Sequence, residues 1–417
     1  MPGKQLVVIG GGAAGFFCAV NAARLNPGLQ VTIVEKSSKL LSKVKVSGGG
    51  RCNVTHACFE IGEMVKKYPR GGNFVRKTFH RFFTTDTIQW FKERGVELKA
   101  ESDGRMFPVT DSSQTIIDCL LKEANRYGIE ILMNKEIKSI QKKETGFLLT
   151  AANDQQLSAD YVCIACGGYP KSGMFDWLRE LGHTISDPVP SLFTFNMPGN
   201  PITQLMGISV EKAKVKINGS KLEQEGPLLI THWGMSGPAI LKLSAWGARE
   251  LAGLSWQFSI SVNWVPDYNE NTLREKLQQF RFEMAAQKIG NKNPFGLPGR
   301  LWEFMLEQAG GNKDVRWADF PAKAQNQLIR LMVTGAFEVK GKTTFKEEFV
   351  TAGGVNLSEV DPSTMMSKKI AGLFFAGEII DVDGVTGGFN FQNAWTSGFI
   401  AASQISLSSS GNSDQLT

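Results

Sequence analysis

Three glycines near the N-terminus have the spacing of a phosphate-binding turn. Gly10, Gly12 and Gly15 form the pattern Gly-x-Gly-x-x-Gly, which allows a tight turn, close approach of the backbone to a diphosphate and close packing of a helix on a strand. Glu35 lies 20 residues beyond Gly15, where a carboxylate would accept hydrogen bonds from ribose hydroxyls. The pattern predicts dinucleotide binding. The contacts that we expect come from Gly10, Gly12, Ala13, Ala14, Gly15, Glu35 and Lys36.

The segments around this turn match the strand, helix and second strand that the motif requires. Residues 5–9 and 30–34 are apolar runs typical of buried strands, and residues 16–25 between them have a helical pattern. A helix N-terminus after the turn would offer N–H groups and a partial positive charge to a phosphate. A further apolar strand, 160–165, ends close to two glycines. We therefore add Ala165 and Gly167 to the predicted contacts.

The C-terminal part of the chain favours FAD over NAD. An apolar run at 372–376 ends in Gly-Glu, similar to the second fingerprint of FAD proteins, where this acid meets the ribityl chain or the diphosphate. A Gly-Gly-Phe-Asn string then opens a helical pattern over 391–401. The N-terminus of that helix would stabilise the negative charge that develops at the flavin C2 carbonyl on reduction. The contacts expected here come from Gly377, Glu378, Gly387, Gly388, Phe389 and Asn390.

Several longer strings occur in a fixed order between residue 5 and about residue 402. They are VSGGGRCNVT at 46–55, GRMFP at 104–108, THWGMSGP at 231–238, TAGGV at 351–355, AGE at 376–378 and GxxGGFN at 384–390. By these strings the chain resembles the BaiN/RdsA (YhiN-like) family of NAD(P)/FAD-dependent oxidoreductases, which includes proteins named aminoacetone oxidases.

The resemblance implies further cofactor contacts. It places residues 47–53 along the flavin and the diphosphate, which agrees with the exposed backbone of three glycines and the cation of Arg51. It also implies that Ile137, after a strand at 131–136, pairs its backbone with adenine. The loop residues concerned are Ser47, Gly48, Gly49, Gly50, Arg51, Cys52 and Asn53.

The hydrophobic pattern changes beyond about residue 190. Apolar residues alternate with polar ones from Trp256 to Trp264, which is typical of a half-buried antiparallel strand, and residues 271–331 have a helical pattern in three pieces. With the resemblance, this predicts an α/β fold in which a discontinuous Rossmann-type FAD-binding domain holds an inserted antiparallel β-barrel-like domain and a small helical domain. The predicted boundaries are 1–190 and 351–405 for the FAD-binding domain, 191–268 for the β-rich domain with a return strand at 335–350, 269–334 for the helical domain and 406–417 for a flexible tail.

Two side chains are candidates for proton transfer. Cys52 follows Arg51, a cation that would lower the pKa of the thiol. His232 precedes a Gly-Met-Ser-Gly-Pro turn in the inserted domain, and histidine as a residue type can deliver a proton near neutral pH. The structural alternatives are a small buried thiol for Cys52 and a turn-stabilising imidazole for His232.

Positive charge is concentrated between residues 36 and 99, which contain 14 Lys and Arg but 5 Asp and Glu. Cations interleaved with aromatic rings would contact phosphates and stack on unpaired bases of RNA. The alternative is an amphipathic helix whose apolar face holds Phe74, Phe79, Phe82 and Phe83. The cations of the predicted RNA surface are Lys66, Lys67, Arg70, Arg76, Lys77 and Arg81.

Composition limits the remaining classes of protein. Six cysteines in 417 residues are too few for a disulfide scaffold, and their spacing does not predict a metal site. We find no apolar run long enough for a membrane span. These features predict a cytoplasmic protein without a membrane partner.

The predicted function is FAD-dependent reduction of a C=C bond conjugated to a carbonyl. Since one Gly-x-Gly-x-x-Gly motif occurs, NAD(P)H would be a transient reductant without a domain of its own. The family resemblance includes reduction of a uridine of large-subunit ribosomal RNA to dihydrouridine, which we favour. A small-molecule enone reductase, an aminoacetone or amine oxidase, and a flavin-bearing ribosome-binding protein without turnover are the alternatives.

Overall fold

The computed structural model describes residues 3–343 and 350–409. The described residues form two compact units, one from residues 3–191 and 350–409 and the other from residues 192–343. The predicted return strand at 335–350 and the predicted tail at 406–417 both extend beyond the described residues.

Twenty strands occur within the described residues. In chain order they are β1 Gln5–Ile9, β2 Gln30–Val34, β3 Thr55–His56, β4 Leu98–Ala100, β5 Arg105–Pro108, β6 Glu130–Leu132, β7 Ile137–Lys142, β8 Phe147–Ala151, β9 Gln156–Ala159, β10 Tyr161–Ile164, β11 Ile185–Ser191, β12 Thr194–Asn196, β13 Ser209–Ile217, β14 Glu223–Thr231, β15 Gly234–Ser236, β16 Gln257–Asn263, β17 Gly335–Lys340, β18 Lys342–Thr343, β19 Val350–Val355 and β20 Leu373–Phe375.

Thirteen α-helices accompany the strands in the described part of the chain. They are α1 Ala13–Leu25, α2 Ser42–Gly50, α3 Ile61–Val65, α4 Gly72–Phe79, α5 Thr84–Lys92, α6 Ser113–Arg126, α7 Asp176–Glu180, α8 Pro238–Trp246, α9 Ala248–Gly253, α10 Glu270–Glu283, α11 Gly299–Gln308, α12 Ala322–Thr334 and α13 Phe389–Ser409. None of these helices has the length and apolarity that crossing a membrane requires.

The first unit is built on a five-stranded parallel sheet with the order β20-β10-β1-β2-β6. Its register pairs Val8 with both Ile33 and Cys163, and Cys163 with Phe374. These four side chains have no exposed surface. The strands therefore read as continuous apolar runs, as in parallel sheets that are covered on both faces. The predicted Rossmann-type arrangement is confirmed.

Helix α13 packs along α1 and is longer than the pattern over 391–401 predicted. A Cβ on Gly398 would lie 2.8 Å from the carbonyl oxygen of Ala14, so the two backbones approach closely. Ile405 is fully buried, and the hydroxyl of Ser406 donates to the carbonyl of Ala22 (3.3 Å). These contacts continue the helix to Ser409, and residues 406–409 of the predicted tail are therefore helical.

The strand predicted at 131–136 is interrupted. Strand β6 ends at Leu132, and Asn134 has a left-handed backbone (φ 57°), which an extended strand does not tolerate. The next strand, β7, begins at Ile137 and pairs with β8 in a separate antiparallel sheet. The residues before the break, Ile131 to Met133, are apolar, but Asn134, Lys135 and Glu136 are polar, and the predicted strand ran through them.

The second unit contains a seven-stranded antiparallel sheet with the order β17-β16-β13-β14-β15-β12-β18. Only Gly341 separates β17 from β18. Because these consecutive strands pair with opposite ends of the sheet, the sheet closes on itself. The second unit therefore contains the β-barrel-like sheet that the sequence predicted.

The strands and helices of the second unit share one hydrophobic core. It includes Phe258 and Ile260 from the barrel, Trp302 from α11 and Leu328 from α12. The alternation predicted around residues 256–264 corresponds to β16, whose side chains alternate between buried and partly exposed. Each amphipathic helix therefore completes the same core.

A buried histidine holds the chain segment that leads into β20. His183 contacts Glu359 through Nδ1 (3.0 Å) and Ser367 through Nε2 (3.2 Å). This resembles a hydrolase triad, but Ser367 is 2% exposed and accepts hydrogen bonds from two backbone N–H groups. The serine is therefore a loop cap, and the cluster ties the returning segment to the first part of the unit.

Glu359 gives this cluster a pH dependence. Burial acts to raise the pKa of its carboxyl, but hydrogen bonds from Lys369, Thr184 and His183 lower the pKa from 4.5 to about 2. Since the folded pKa lies below the unfolded value, the ionised carboxylate stabilises the fold fully above about pH 4.5. That stabilisation is lost as the pH falls toward 2.

We predict that Glu359→Gln lowers the free energy of unfolding near pH 7 by about 1.5–3 kcal/mol, because it removes an ionised hydrogen-bond acceptor. Urea unfolding at several pH values measures the difference, which should shrink below about pH 4.5. Glu180→Gln is the control, since Glu180 is exposed on nearby α7. A difference that stays constant down to pH 3 would contradict the prediction.

Candidate active site

The carboxyl ends of the parallel strands form one edge of the sheet. At this edge, the residue that follows each strand is hydrogen-bonded to the end of a neighbouring strand. The N–H of Gly10 donates to the carbonyl of Val34 (2.8 Å), and the N–H of Ala165 donates to the carbonyl of Ile9 (2.8 Å). The N–H of Ala376 donates in the same way to the carbonyl of Ile164 (3.0 Å). The predicted contacts Ala165 and Gly167, which follow β10, therefore lie beside the glycine turn. Ligands of open α/β sheets bind at this edge.

Gly12 and Gly15 have different surroundings. A Cβ on Gly15 would lie 1.9 Å from the carbonyl oxygen of Gly10, so this glycine is needed where α1 meets β1. A Cβ on Gly12, in contrast, would meet no protein atom within 4 Å. Gly12 immediately precedes α1, and Ala13 and Ala14 form the first turn of that helix. Open space at a helix N-terminus fits a diphosphate.

Glu35 lies directly after β2, as predicted. One carboxylate oxygen accepts from the N–H of Gly11 (2.8 Å) and the other from the N–H of Ser37 (2.8 Å). A carboxylate oxygen has more than one acceptor site, so both oxygens can still accept from a ribose hydroxyl. Lys36 is exposed and lies over the ring of Tyr169 (5.5 Å).

A cleft continues from Lys36 along the end of β6. It is lined by Lys36, Asn134, Lys135, Glu136, Ala152 and Asn153. Ile137 follows Glu136 in the chain, but it does not line the cleft: its side chain is buried and it is the first residue of β7. Pairing of its backbone with adenine stays a prediction.

Glu378 follows β20 and has a partner for each oxygen. The N–H of Thr351 donates to Oε1 (2.8 Å), and Lys43 Nζ contacts Oε2 (2.6 Å). Gly377 is next to the dinucleotide turn, since a Cβ there would lie 2.8 Å from the Cβ of Ala14. The structure therefore brings the N-terminal and C-terminal motifs together.

The loop at 47–53 has an unusual backbone: the assigned range of α2 extends to Gly50, but its helical conformation ends before Ser47. Gly48, Gly49 and Gly50 have consecutive left-handed φ values of 59°, 68° and 86°. No protein atom lies within 4 Å of a Cβ built on Gly49 or Gly50. Such a run exposes successive N–H groups. It therefore fits the predicted contact with oxygen atoms of a cofactor.

Asn53 joins this loop to the start of α13. In the orientation that satisfies both partners, its side chain accepts from the N–H of Gly388 (2.9 Å) and donates to the carbonyl of Thr55 (2.9 Å). His56 approaches the same string, with Nδ1 3.0 Å from the carbonyl oxygen of Gly387. Since a carbonyl only accepts, Nδ1 carries the hydrogen in this contact.

The string at 387–390 opens α13, as predicted. The ring of Phe389 stacks on His56 (4.7 Å between centroids), and its carbonyl accepts from the hydroxyl of Tyr68 (2.7 Å). The side chain of Asn390 closes the preceding loop by hydrogen bonds with Gly384 N (2.8 Å) and Gly384 O (2.9 Å). Asn390 thus shapes the loop through its own side chain.

A network of buried polar side chains connects the first turns of α13 to the residues that follow the glycine loop. Gln392 Oε1 accepts from the hydroxyls of Thr55 (2.6 Å) and Thr87 (3.0 Å), and the Trp395 indole donates to the carbonyl of Val54 (2.9 Å). Gln392 and both threonines are fully buried. The network ties α13 to Val54 and Thr55, which directly follow the loop at 47–53, and to Thr87 of α5.

The comparisons with known proteins agree with this geometry. The sequence model of the HI0933-like protein Rossmann domain matches residues 4–404. The chain belongs to the HI0933-like Rossmann-domain family. This membership confirms the family resemblance, the Rossmann-type fold and the prediction of a flavin-dependent oxidoreductase.

Two relatives of this HI0933-like chain are similar over nearly their whole length. The ribosomal RNA dihydrouridine synthase of Escherichia coli (strain K12) is 30% identical over 409 residues, which cover 96% of this chain and 97% of the relative. The 3-dehydro-bile acid delta(4,6)-reductase of Clostridium scindens is 27% identical over 414 residues, with 95% and 98% covered.

Solved structures support the fold of the HI0933-like chain. A flavocytochrome c3 fumarate reductase in its open conformation has a TM-score of 0.52 at 16% identity, covering 97% of this chain and 78% of that one. At this level of identity the similarity concerns the fold alone.

Cys52 does not have the acidic thiol that its neighbour suggested. The residue is fully buried, and burial raises the pKa of its thiol to about 12 against an opposing hydrogen bond with Ser47. Arg51 lies over the ring of Phe107 (4.0 Å) and contacts Glu101 (2.6 Å). The Arg51 guanidinium therefore pairs with Glu101. The expected lowering of the Cys52 pKa was wrong, because burial raises it.

His232 belongs to the second unit of the HI0933-like chain. It lies in the turn between β14 and β15, is exposed and contacts the ring of Trp233 (3.9 Å between centroids). Its role as a proton donor stays a prediction. Among residues 3–343 and 350–409, no group of three or more His, Cys, Asp and Glu side chains is placed to hold a metal ion.

The predicted RNA surface is partly corrected. Phe74, Phe79, Phe82 and Phe83 are buried, so these rings pack in the core and are not available to stack on bases. Arg70 turns inward to a bidentate ion pair with fully buried Asp383, which also accepts from Ser191 (2.9 Å). The remaining five cations, which we call the basic ridge, are exposed: Lys66, Lys67, Arg76, Lys77 and Arg81.

Sequence reasoning missed several side chains that the fold brings to the site. Lys43 and His56 were not singled out, because their partners Glu378 and Gly387 lie more than 300 residues away. Thr351 was quoted as part of a family string without a role. The threonine and glutamine residues of the buried network have no distinctive spacing.

We predict that Gly12→Trp abolishes FAD binding, because the indole fills the space where a Cβ now meets no protein atom. The apoprotein should unfold at an unchanged temperature. Titration of apoprotein with FAD, followed by flavin fluorescence, measures the affinity. Gly253→Trp is the matched control, since Gly253 is exposed in the second unit and equally uncrowded. Equal FAD content in both purified variants would refute the prediction.

Proposed function

We propose that the chain is an FAD-dependent reductase that reduces a C=C bond conjugated to a carbonyl, with a uridine of large-subunit ribosomal RNA as its substrate. The observation that carries the proposal is similarity over nearly the whole chain to a ribosomal RNA dihydrouridine synthase. The second relative, a bile acid delta(4,6)-reductase, also has a name that denotes reduction of carbon–carbon double bonds. The shared chemistry supports the reaction class more firmly than the substrate.

The residues of the first unit would hold FAD along the carboxyl edge of the sheet. Gly12 and the N-terminus of α1 would bind the diphosphate, Glu35 the adenosine ribose, and Gly388 with the N-terminus of α13 the flavin carbonyl. The cofactor supplies the hydride when bound. The protein must then exclude water and place a proton donor at the α carbon, which contributes about 10²–10⁴ in rate.

NAD(P)H is the proposed reductant. One Gly-x-Gly-x-x-Gly motif occurs in the sequence, and the FAD diphosphate accounts for it. We therefore propose that NAD(P)H binds transiently. Of the two predicted proton donors, Cys52 is buried with a thiol pKa of about 12, so it does not fit this step, and His232 stays the other predicted donor.

The basic ridge supports RNA as the substrate. No acidic residue occurs in the sequence between Glu63 and Asp86. Among the described residues of the ridge, Lys66 has an ion pair, with Glu63 (2.6 Å), and the other four cations have none. Lys77 and Arg81 are four residues apart and exposed beside Arg76. With the phenylalanines buried, the ridge offers cations for the sugar-phosphate backbone.

The ridge is also joined to the site. The carbonyl of Lys67 accepts from the N–H of Val385 (2.9 Å), and Tyr68 donates to Phe389 (2.7 Å). Both partners belong to the loop that opens α13. A phosphate backbone held on the ridge would therefore be anchored to the segment that carries the predicted flavin contacts.

A small-molecule enone reductase is the second candidate. It is favoured by the 27% identity to the bile acid reductase, which covers 98% of that protein. A metabolite enzyme would not need the basic ridge. The two candidates therefore differ in whether exposed cations affect turnover.

We predict that large-subunit ribosomal RNA from cells lacking this gene has lost dihydrouridine. Nucleoside mass spectrometry measures the content. The intact gene should restore it, whereas the Gly12→Trp variant should not, because FAD binding is blocked. Complementation by Gly253→Trp controls for the added indole. Unchanged dihydrouridine in the deletion strain would reject the ribosomal RNA substrate and favour the enone reductase.

We predict that the triple variant Arg76→Gln, Lys77→Gln, Arg81→Gln binds ribosomal RNA more weakly while keeping its FAD. The slope of log affinity against log salt should fall by about 2–3, since each lost phosphate contact releases about 0.7–0.9 of a counterion. Filter binding of transcribed large-subunit RNA between about 50 and 200 mM salt measures the slope.

The matched control removes three exposed cations of the second unit, Lys292, Lys323 and Arg330, by the same change to Gln. It should keep the wild-type slope. An equal reduction in both triple variants would show that net charge alone, and not the ridge, determines RNA binding.

A further inference from the structure

Glu378 presents an electrostatic conflict. Its neighbour Gly377 lies against the first turn of α1, since a Cβ built on Gly377 would lie 2.8 Å from the Cβ of Ala14. This is the turn whose N–H groups would hold the FAD diphosphate. The Glu378 side chain is 16% exposed, so solvent screens its charge only in part. A lone carboxylate here would repel the diphosphate.

Lys43 resolves this conflict. Its ammonium lies 2.6 Å from Glu378 Oε2, while Oε1 accepts from the N–H of Thr351 (2.8 Å). The carboxylate is therefore held at both oxygens and its charge is balanced by one cation. Gly168 packs on the same carboxylate, since a Cβ there would lie 2.9 Å from Oε1.

The pair also joins distant parts of the site. Lys43 belongs to α2, the element that leads into the loop at 47–53, and Glu378 follows β20. The ion pair spans 335 residues of sequence. A contact that links the two halves of the FAD site and neutralises a carboxylate beside it has both a positional and an electrostatic effect.

We propose that Lys43 is a positioning residue for FAD, which acts by neutralising and orienting Glu378. This inference rests on the proposed FAD binding and not on the identity of the substrate. Loss of the ammonium leaves an unpaired carboxylate next to the diphosphate, and FAD affinity falls for an electrostatic reason.

The test measures FAD affinity of apoprotein by fluorescence titration. Lys43→Met should weaken binding about tenfold, and Lys43→Arg should restore most of it. Lys45→Met is the matched control, because Lys45 is exposed on the same helix and the change removes the same charge. It should bind FAD within about twofold of the wild type.

A double variant distinguishes the electrostatic role from a loss of structure. Glu378→Gln added to Lys43→Met removes the unpaired charge but keeps an oxygen that can accept from the Thr351 N–H or from FAD, so it should recover most of the lost affinity. The defect of Lys43→Met should also shrink between about 0.05 and 0.5 M salt, where screening lengths fall to a few ångströms. The unfolding temperature of each apoprotein shows whether its fold is intact.

The inference is overturned if Lys43→Met binds FAD as well as the Lys45→Met control. It is also overturned if Glu378→Gln weakens FAD binding further in the Lys43→Met background, or if the defect does not respond to salt. Failure of the wild-type chain to bind FAD would instead refute the proposed function, so the two failures are distinguishable.

Discussion

The register of β20 against β10 positions every group that the last part of the chain brings to the site. The pairing aligns Ile164 with Phe375, and Gly377 and Glu378 follow two and three residues later. A slip of one residue would move them by about 3.3 Å. It would take Gly377 away from the first turn of α1 and separate Glu378 from Lys43 and Thr351. The start of α13 follows from β20 through residues 376–388.

The buried network around Gln392 makes this long-range arrangement specific. Apolar packing alone permits small shifts between α13 and the loop at 47–53, whereas the Thr55 and Thr87 hydroxyls and the Trp395 indole each require one acceptor position. A displaced helix would leave buried donors unpaired, at a cost of about 1–3 kcal/mol each. The network therefore holds the left-handed glycine run, whose own sequence has little preference for one conformation.

The parts that the sequence predicted are those encoded by local spacing. The turn at 10–15, Glu35 and the start of α13 each depend on neighbours within one strand–turn–helix unit, and the structure places them as expected. The inward turn of Arg70 depends on Asp383, 313 residues away, and no local pattern reports such a partner. The predicted lowering of the Cys52 pKa was wrong for a related reason. The adjacency of Arg51 in the sequence does not show that the thiol is buried or that the guanidinium pairs with Glu101. The strand break at Asn134 coincides with the polar run Asn134-Lys135-Glu136, which does interrupt the apolar pattern locally.

The inward turn of Arg70 has a consequence for how the surface and the site are related. Arg70 is part of a run of cations, but its bidentate pair with Asp383 braces the loop that leads into α13. Removing one partner of a buried ion pair leaves the other charge uncompensated, so this arginine is a structural element and not a phosphate contact. The five exposed cations of the basic ridge form no buried ion pair of this kind among the described residues. Under the proposed function, substrate affinity would vary through the basic ridge while the geometry of the proposed FAD site stays constant. Relatives whose names refer to ribosomal RNA and to a bile acid would then differ on this surface and not at the edge of the sheet.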